Sequence, residues 1–508
     1  MLSQSAINRW IPVLTISIGG FTSLLSSTTI EVAFPNLMSA FGIDLKTAQW
    51  TVTLYMIVMT LAMLMAADLV KRFGVKQVSI VSFVLFIIGT WVGGSATTVS
   101  ELLIGRTLQG FSAGLQAPLA AIVVANSFPK DRIGTAMGIY GLIMLMAPAV
   151  GPVAGGLLID AFQWPMLFYF QIPFAAVSAV LAYNFLPDDN QTSGNGQYDW
   201  VGLLLLTLFI SSIFFSISYM TEESTAYLWL PVLILAPLLL LVIFVFVENR
   251  VSNPLVNTEL FKVAPFSINL VVIFLLSSGM FSTILLVPLY MIETLHMTPG
   301  TAGLALLPAG LAMAVASPLA GRLSDKYSPI VIVFPGLLLF AFASFYLSTY
   351  ELGASLNVII MSSVLGRLGL SILLPSLYSS SFRVLDGKFT EYASSMLNFA
   401  RQIGASIGIL MFSGYYSISS YKNSENIMDN LREDGGEFLE YGKNLSMEIE
   451  KYSLVSWRVD SVVKGEINQY VNQISEHIAF IDAFFTIAII TLASSIIWLI
   501  SFLLMKFK

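Results

Sequence analysis

The chain has 508 residues, of which 56% are hydrophobic and 11% are charged, and its formal net charge is −6. A soluble domain carries about 25% charged residues, so this composition excludes a soluble globular protein and indicates an integral membrane protein. There is no cysteine and there are only two histidines, His296 and His477, which excludes disulfides, thiol catalysis and a cysteine or histidine metal cluster.

Apolar runs long enough to cross a bilayer, about 20 residues each, predict an all-α membrane protein with fourteen spans. The expected spans lie near residues 11–34, 48–67, 77–97, 102–125, 135–158, 165–186, 200–220, 227–247, 265–290, 301–321, 330–350, 356–377, 393–416 and 481–505. The first run has no A-x-A-like cleavage site and is too long for a signal peptide, so we expect it to be a span. Basic residues concentrate in alternate loops, which predicts that both termini are cytoplasmic.

Sequence landmarks recur in the two halves of the chain. Gly105-Arg106 in the fourth span corresponds to Gly366-Arg367 in the twelfth, and basic loops follow both the second and the tenth spans. The repeat predicts two six-helix bundles related by a pseudo-two-fold axis, residues 1–190 and 264–508, with two inserted membrane helices in 191–263. Such duplicated halves are typical of transporters, which bind substrate between them near the middle of the membrane.

A polar segment, residues 418–480, separates the last two predicted spans on the extracytoplasmic side. Its stretches Asn426–Glu440 and Val459–Ile478 have the pattern of amphipathic helices. The segment is predicted to be either a solvated loop or a docking surface for another protein.

The fourth and fifth spans carry the strongest local patterns. A dense series of small and helix-weakening residues occupies the fifth span, namely Pro148, Gly151, Pro152, Gly155 and Gly156. It indicates either a functional bending point or ordinary tight packing of helices. In the fourth span, Arg106 is a buried cation, which by default marks a functional site, the alternative being a structural ion pair.

Two loops and the thirteenth span complete the set of motifs. Lys71, Arg72 and Gly74 follow the second span, and Gly321, Arg322, Asp325 and Lys326 follow the tenth. The thirteenth span reads Ala393-Ser394-Ser395-Met396-x-Asn398-x-x-Arg401. Together these motifs resemble the major facilitator superfamily, in particular its fourteen-span drug:proton antiporters of the EmrB/QacA type, over nearly the whole chain. The resemblance implies an antiporter motif in the fifth span, proton coupling supported by Arg106, and gating by the two loops.

The resemblance also implies an acid that carries the proton. Members of this branch usually place an aspartate at the position of Ser26 and an asparagine at the position of Glu31. Glu31 is therefore predicted either to be a relocated proton carrier or to lie in a wet helix end. Glu293, at the outer end of the ninth span, and Asp482, at the start of the fourteenth, are further candidates for the proton carrier.

The side chains expected to line a substrate cavity are Ser26, Gln109, Tyr140, Met144, Phe281, Tyr290, Arg367, Asn398 and Arg401. An apolar and adaptable lining suits amphipathic compounds, and neutral or weakly acidic compounds fit it as well as cations. The sequence contains no nucleophile–base pair or phosphate-binding loop, so we expect no enzyme and no cofactor beyond a proton gradient.

The predicted function is export of amphipathic drugs across a bacterial inner membrane in exchange for protons. A dedicated exporter of one metabolite, siderophore or fatty acid fits the same motifs, and an uncoupled lipid scramblase or a transporter-derived receptor is the alternative of another class. The resemblance implies a periplasmic adaptor protein and an outer-membrane channel as partners through residues 418–480, and no nucleic acid.

Overall fold

The computed structural model describes residues 4–188, 199–222, 226–251, 254–353, 355–433 and 456–506. Every regular element in these residues is a helix. Ten of the described helices are long and apolar enough to cross a bilayer. Two shorter apolar helical stretches, Ile133–Met144 and Trp200–Ser216, lie within longer helices. The expectation of an all-α membrane protein is therefore confirmed, whereas the count of fourteen spans and the sidedness of the termini stay predictions.

The first half contains the helices α1 (Gln4–Val32), α2 (Phe34–Phe41), α3 (Leu45–Gly94), α4 (Val99–Ser127), α5 (Ile133–Ala161), α6 (Met166–Tyr169) and α7 (Ile172–Phe185). The second and third predicted spans both fall in α3, which changes direction at Gly74, where φ is 77°. Only glycine adopts such a φ readily, so the short basic loop between these spans turns at this residue. Thr98 and Glu101 form a capping box that starts α4.

The inserted segment contains α8 (Trp200–Glu222), α9 (Ala226–Glu248) and a 3₁₀ helix, Thr258–Lys262. The second half contains α10 (Ala264–Glu293), α11 (Pro299–Lys326), α12 (Pro329–Ser348), α13 (Asn357–Arg383), a 3₁₀ helix (Gly387–Phe389), α14 (Thr390–Glu433) and α15 (Ser456–Lys506). The inserted helices pack on each other, and α8 also packs against α14 and α3.

The two halves meet chiefly where α5 packs on α11 and where α3 packs on α14. We call the end of the bundle that carries the last turn of α11 and the first turn of α5 the Asp325 end, and the opposite end the His477 end. Glycines set the α5–α11 contact, because a Cβ at Gly138 would lie 2.6 Å from the Ser317 carbonyl oxygen. Close approach of small residues is the usual means of helix association in lipid.

Helices α14 and α15 are longer than a membrane requires. Their 44 and 51 residues correspond to about 66 Å and 76 Å at about 1.5 Å per residue, against a hydrocarbon thickness of about 30 Å. Both extend past the His477 end, where Ser424 Oγ donates to Asn472 Oδ1 at 3.3 Å. Most of the polar segment 418–480 is therefore a pair of helical extensions, and residues 434–455, which join them, lie outside the described residues.

Candidate functional site

Arg106 is the centre of a buried polar network in the first half. Its side chain is fully buried. Its Nε donates to the Thr51 carbonyl oxygen at 2.9 Å, and its Nη1 donates to Ser26 Oγ at 3.1 Å and to Gln109 Oε1 at 2.9 Å. The guanidinium also lies 4.2 Å from the ring centroid of Tyr55. One side chain thus ties together α1, α3 and α4, and Ser26 Oγ accepts a hydrogen bond directly from the guanidinium.

The network continues along the same three helices. The Tyr55 hydroxyl donates to the Ser23 carbonyl oxygen at 2.8 Å, and Ser23 Oγ donates to Gln116 Oε1 at 2.7 Å. Gln109 Nε2 donates to Thr90 Oγ1 at 2.9 Å. Buried polar groups are costly unless paired, so these bonds fix the register of α1, α3 and α4.

The glycines of the fifth-span motif fasten α5 to α1. A Cβ at Gly151 would overlap the hydroxyl of Thr28, and a Cβ at Gly155 would lie 3.2 Å from the Thr29 carbonyl oxygen, whereas Gly156 has no such neighbour within 4 Å. The backbone of the motif is helical, and the side chains of Pro148 and Pro152 lie outside the described side chains. The structure therefore shows tight packing at two of the three glycines, and the motif's role in export stays a prediction.

Asp325 joins the two halves. Its carboxylate accepts hydrogen bonds from the Gly134 and Thr135 backbone N–H groups, both at 2.8 Å, and from Thr135 Oγ1 at 2.6 Å. These donors belong to the first turn of α5, whose N–H groups have no partner within their own helix and whose dipole attracts an anion. Arg383 Nη2 completes the shell at 3.1 Å. An acid of the second half thus caps a helix of the first half.

Further contacts close the Asp325 end. Arg383 Nε donates to the Lys130 carbonyl oxygen at 3.1 Å, and Lys130 Nζ donates to the Leu385 carbonyl oxygen at 3.2 Å. Ser317 Oγ donates to the Gly138 carbonyl oxygen at 2.8 Å. Toward the other end of α11, Cβ positions built on Gly300, Gly303 and Gly310 have no neighbour within 4 Å.

The loop residues of the sequence motifs divide into contact and surface positions. Gly321 packs directly on the Gly134 backbone, whereas Arg322 and Lys326 are exposed. In the first-half loop, Lys71 Nζ lies 3.8 Å from the ring centroid of Tyr392 on α14, and Arg72 Nε lies 2.6 Å from Asp68 Oδ2. Lys71 is therefore a second link between the halves.

A second polar chain lies in α13 and α14. Arg401 lies beside the Tyr378 hydroxyl, which donates to Asn398 Oδ1 at 3.2 Å. Arg401 is half-buried, and its positive charge is close enough to the Tyr140 hydroxyl on α5 to interact with it electrostatically. The predicted cavity residues Tyr140, Asn398 and Arg401 are thus brought together between the halves.

The other predicted cavity residues are more scattered. The buried Met144 packs on α1, where a Cβ at Gly20 would lie 2.8 Å from its Cε, and Phe281 is half-buried on α10. Arg367 is half-buried on α13. Each position is compatible with a cavity wall, and lining of a substrate site stays a prediction for all of them.

Tyr290, which the sequence predicts to line the substrate cavity, lies in a cluster of aromatic side chains. Its ring is fully buried and stacks on Phe480 of α15 with centroids 3.9 Å apart, and its hydroxyl lies 2.7 Å from His477 Nδ1. Tyr350 contacts the same ring edge-on. Tyr290 therefore belongs to an aromatic cluster that joins α10 and α15, and its lining of a substrate cavity stays a prediction.

The predicted acids are also resolved in part. Glu293 is exposed at the end of α10, and Asp482 is half-buried on α15. Glu31 lies in the last turn of α1, and its side chain is outside the described side chains.

Sequence reasoning missed one buried acidic pair, Asp199 and Glu248, because each residue falls just outside a predicted span. Asp199 Oδ1 accepts from the Gly202 N–H at 2.7 Å, and Glu248 Oε1 accepts from the Val256 N–H at 2.5 Å. The two remaining carboxylate oxygens are buried, receive no hydrogen bond from the described residues, and face each other. A largely apolar cavity of about 310 Å³ between the inserted helices and α14 adjoins Glu248.

Comparison with known proteins gives the family. The lincomycin resistance protein LmrB of Listeria innocua is 29% identical over 402 residues, covering 79% of this chain and 85% of that protein. The riboflavin transporter RibZ of Clostridioides difficile is 27% identical over 417 residues, covering 82% of this chain and 90% of that protein. A crystal structure of a double Trp mutant of XylE matches with a TM-score of 0.62 at 13% identity, over 95% of this chain and 94% of that one, which supports the fold alone.

The model of the Major Facilitator Superfamily matches residues 16–409. This range contains the Arg106 network, the glycine contacts of α5 and the Asp325 junction, and it covers well over half of the chain. Membership in this family also makes the chain a membrane transporter rather than an enzyme. The protein therefore belongs to the Major Facilitator Superfamily.

Proposed function

We propose that the chain is a proton-coupled exporter of amphipathic small molecules that works by alternating access. The observation that carries the proposal is the Asp325 junction, in which an acid of one half caps a helix of the other. A junction of this kind can open and close as a unit, because it consists of a few charge-assisted bonds between two separately packed bundles.

The Asp325 end is proposed to face the cytoplasm of a bacterial cell. It carries Lys130, Arg132, Arg322, Lys326 and Arg383, and basic residues favour the cytoplasmic side. With this end closed, the described conformation corresponds to an outward-facing transporter, ready to release cargo at the His477 end.

We assign proton coupling to buried acids, because burial raises the pKa of a carboxyl group toward neutral pH. Glu31 is the leading candidate, because it lies in the same helix as Ser26, which contacts Arg106 at the family's aspartate position. The network around Arg106 would pass a change of charge on α1 to α3 and α4. The glycines of the fifth span pack α5 closely against α1. Because the first turn of α5 is the part that Asp325 caps, this packing connects the junction between the halves to α1, which supports export.

Cargo breadth has two candidate answers. Relatives named for lincomycin and multidrug resistance support a broad exporter. The riboflavin transporter at 27% identity supports the alternative, a dedicated transporter of one compound. An uncoupled scramblase or receptor is disfavoured by the presence of the Arg106 network.

The extensions of α14 and α15 beyond the His477 end are proposed as a contact surface for a periplasmic adaptor protein leading to an outer-membrane channel. Their mutual contact at Ser424 and Asn472 makes them a paired helical projection rather than a featureless loop.

The test is transport in proteoliposomes with an imposed pH gradient. The panel contains ethidium as a cation, pyrenebutyrate as an anion and riboflavin as the dedicated-cargo probe. We expect gradient-driven movement by the wild type, at least a tenfold lower rate for Glu31→Gln, and an unchanged rate for Glu351→Gln, an exposed acid beyond α12. Movement of riboflavin alone would favour the dedicated transporter, and no gradient-driven movement of any probe would contradict the exporter.

A further inference from the structure

Arg367 places a guanidinium inside the bundle, and this group has no hydrogen-bond or ion-pair partner among the described residues. It lies ten residues after the start of α13, about 15 Å along the helix and so near the middle of a bilayer. It makes no hydrogen bond and no ion pair within the part of the chain that the structure describes. An arginine at this depth without a partner is costly, which by default marks a binding function.

Its partial exposure tells what Arg367 faces. The residue is half-buried rather than enclosed. A guanidinium exposed to hydrocarbon at mid-membrane would be strongly unfavourable, so the exposed part faces a polar, water-accessible space. On the other side of the helix, α13 packs tightly on α12, where a Cβ at Gly369 would lie 3.0 Å from the Gly336 carbonyl oxygen.

Arg367 shares its helix face with the polar chain between the halves. Tyr378 follows eleven residues later, and at about 100° per residue this spacing returns to about the same face after three turns. Tyr378 contacts Arg401 and Asn398 of α14. The two half-buried arginines of the second half therefore line the same side of α13 and α14.

No described carboxylate balances these two charges. The pairs of Arg72 with Asp68, Lys76 with Asp188 and Arg383 with Asp325 involve neither Arg367 nor Arg401. Arg401 lies beside the Tyr378 hydroxyl. A serine, Ser26, stands where the resembling family places an acid.

We propose that this face of α13 and α14 binds the carboxylate of a monovalent, amphipathic organic anion, with Arg367 as the direct partner. The proposal rests on the proposed transport function and names its substrate class. A guanidinium presents two parallel N–H donors that match a carboxylate, so the ligand supplies a pairing that no described residue gives Arg367. Arg401 adds positive potential from the neighbouring helix without being the direct contact.

The experiment measures binding to the purified full chain in nanodiscs with two matched probes. Pyrenebutyrate carries the carboxylate, and pyrenebutyramide has the same apolar body without charge. We expect the wild type to bind pyrenebutyrate about tenfold more tightly than the amide, the size of one charge-assisted pair of about 1.4 kcal/mol. Arg367→Gln should remove this preference while keeping the amide affinity, which also shows that the variant is folded.

Two variants sharpen the result. Arg367→Lys keeps the charge but not the fork and should retain part of the preference, whereas Arg250→Gln, the same change at an exposed arginine, should retain all of it. An unchanged preference in Arg367→Gln would overturn the proposal. Competition by octyl phosphate but not by octanoate would also overturn it, since the anion bound would then be a phosphate such as a lipid headgroup.

The same probes separate this proposal from the proposed function. If pyrenebutyrate binds through Arg367 but no probe moves under a pH gradient, the anion site stands and proton-coupled export fails. If ethidium is pumped while pyrenebutyrate neither binds nor moves, export stands and the anion site is wrong.

Discussion

Arg106 and Arg367 occupy corresponding positions of the sequence repeat, each directly after a glycine, and the two halves surround them differently. Gly105 is pressed against the backbone of α3, with a Cβ position 2.6 Å from the Gly93 nitrogen, whereas the Cβ position of Gly366 has its nearest neighbour at an ordinary 3.5 Å. Arg106 is fully buried and bonded to three helices. Arg367 is half-buried without a described partner. One copy has become a structural centre, and the other is left for a ligand.

The largest expected effect is a difference in stability when each of the two arginines is replaced by lysine. Arg106→Lys should lower the free energy of unfolding by about 2–4 kcal/mol and abolish transport, because one ammonium cannot reach the groups of Thr51, Ser26 and Gln109 together. Arg367→Lys should leave the free energy of unfolding within about 0.5 kcal/mol of the wild type, since Arg367 makes no hydrogen bond or ion pair with any described residue. Scanning fluorimetry of both variants measures the difference.

Equal loss of stability in Arg106→Lys and Arg367→Lys would break the comparison. It would mean that Arg367 is also a structural residue, whose partner the native fold supplies. Gln109→Ala serves as an additional check, because it removes one Arg106 acceptor without touching the charge and should fall between the two.

A smaller effect is expected where the halves meet. Asp325→Asn keeps the shape but removes the charge that caps α5 and pairs with Arg383, so the closed junction should lose about tenfold in population, or about 1.4 kcal/mol. The chain has no cysteine, so spin labels on Arg132→Cys and Tyr327→Cys can report the distance between the halves. We expect a second, longer distance to appear in the Asp325→Asn background.

Asp131→Asn is the matched control for this measurement, because Asp131 is an exposed acid at the same end of the bundle. It should leave the distance distribution unchanged. If both variants open the junction equally, general charge rather than the capping contact holds the two halves together.

Many of the residues that distinguish the two halves could be predicted from the sequence, because local sequence patterns mark them. The repeat of Gly-Arg, the glycines of α5 and the acid at Asp325 are marked by residue types that are rare inside membrane helices. What these residues contact depends on which helices become neighbours, which no local pattern encodes. That is why Gly151 and Gly156 look alike in sequence although only the first is crowded.

The pair of Asp199 and Glu248 offers the smallest and most specific prediction. It differs from both the bonded Arg106 and the half-buried Arg367. Here two carboxylates lie together, and each has one oxygen that receives no hydrogen bond from the described residues. Glu248→Gln should raise the apparent melting temperature, by about 1 kcal/mol of added stability, because the new amide can donate to Asp199 Oδ2 while its oxygen keeps the bond from the Val256 N–H. The gain should grow with rising pH, since two unprotonated carboxylates repel each other and the amide does not titrate.

Glu259→Gln, at an exposed acid of the neighbouring 3₁₀ helix, should leave the melting temperature unchanged. A loss of stability in Glu248→Gln would mean that the native acid pairs with a group outside the described residues. The inserted helices would then resemble the surroundings of Arg106, where hydrogen bonds to groups of α1, α3 and α4 hold the charged side chain. A gain would indicate that the acidic pair, like Arg367, lacks a partner for its charge among the described residues. Arg367 faces the space between the halves, whereas the acidic pair is enclosed beside an apolar cavity.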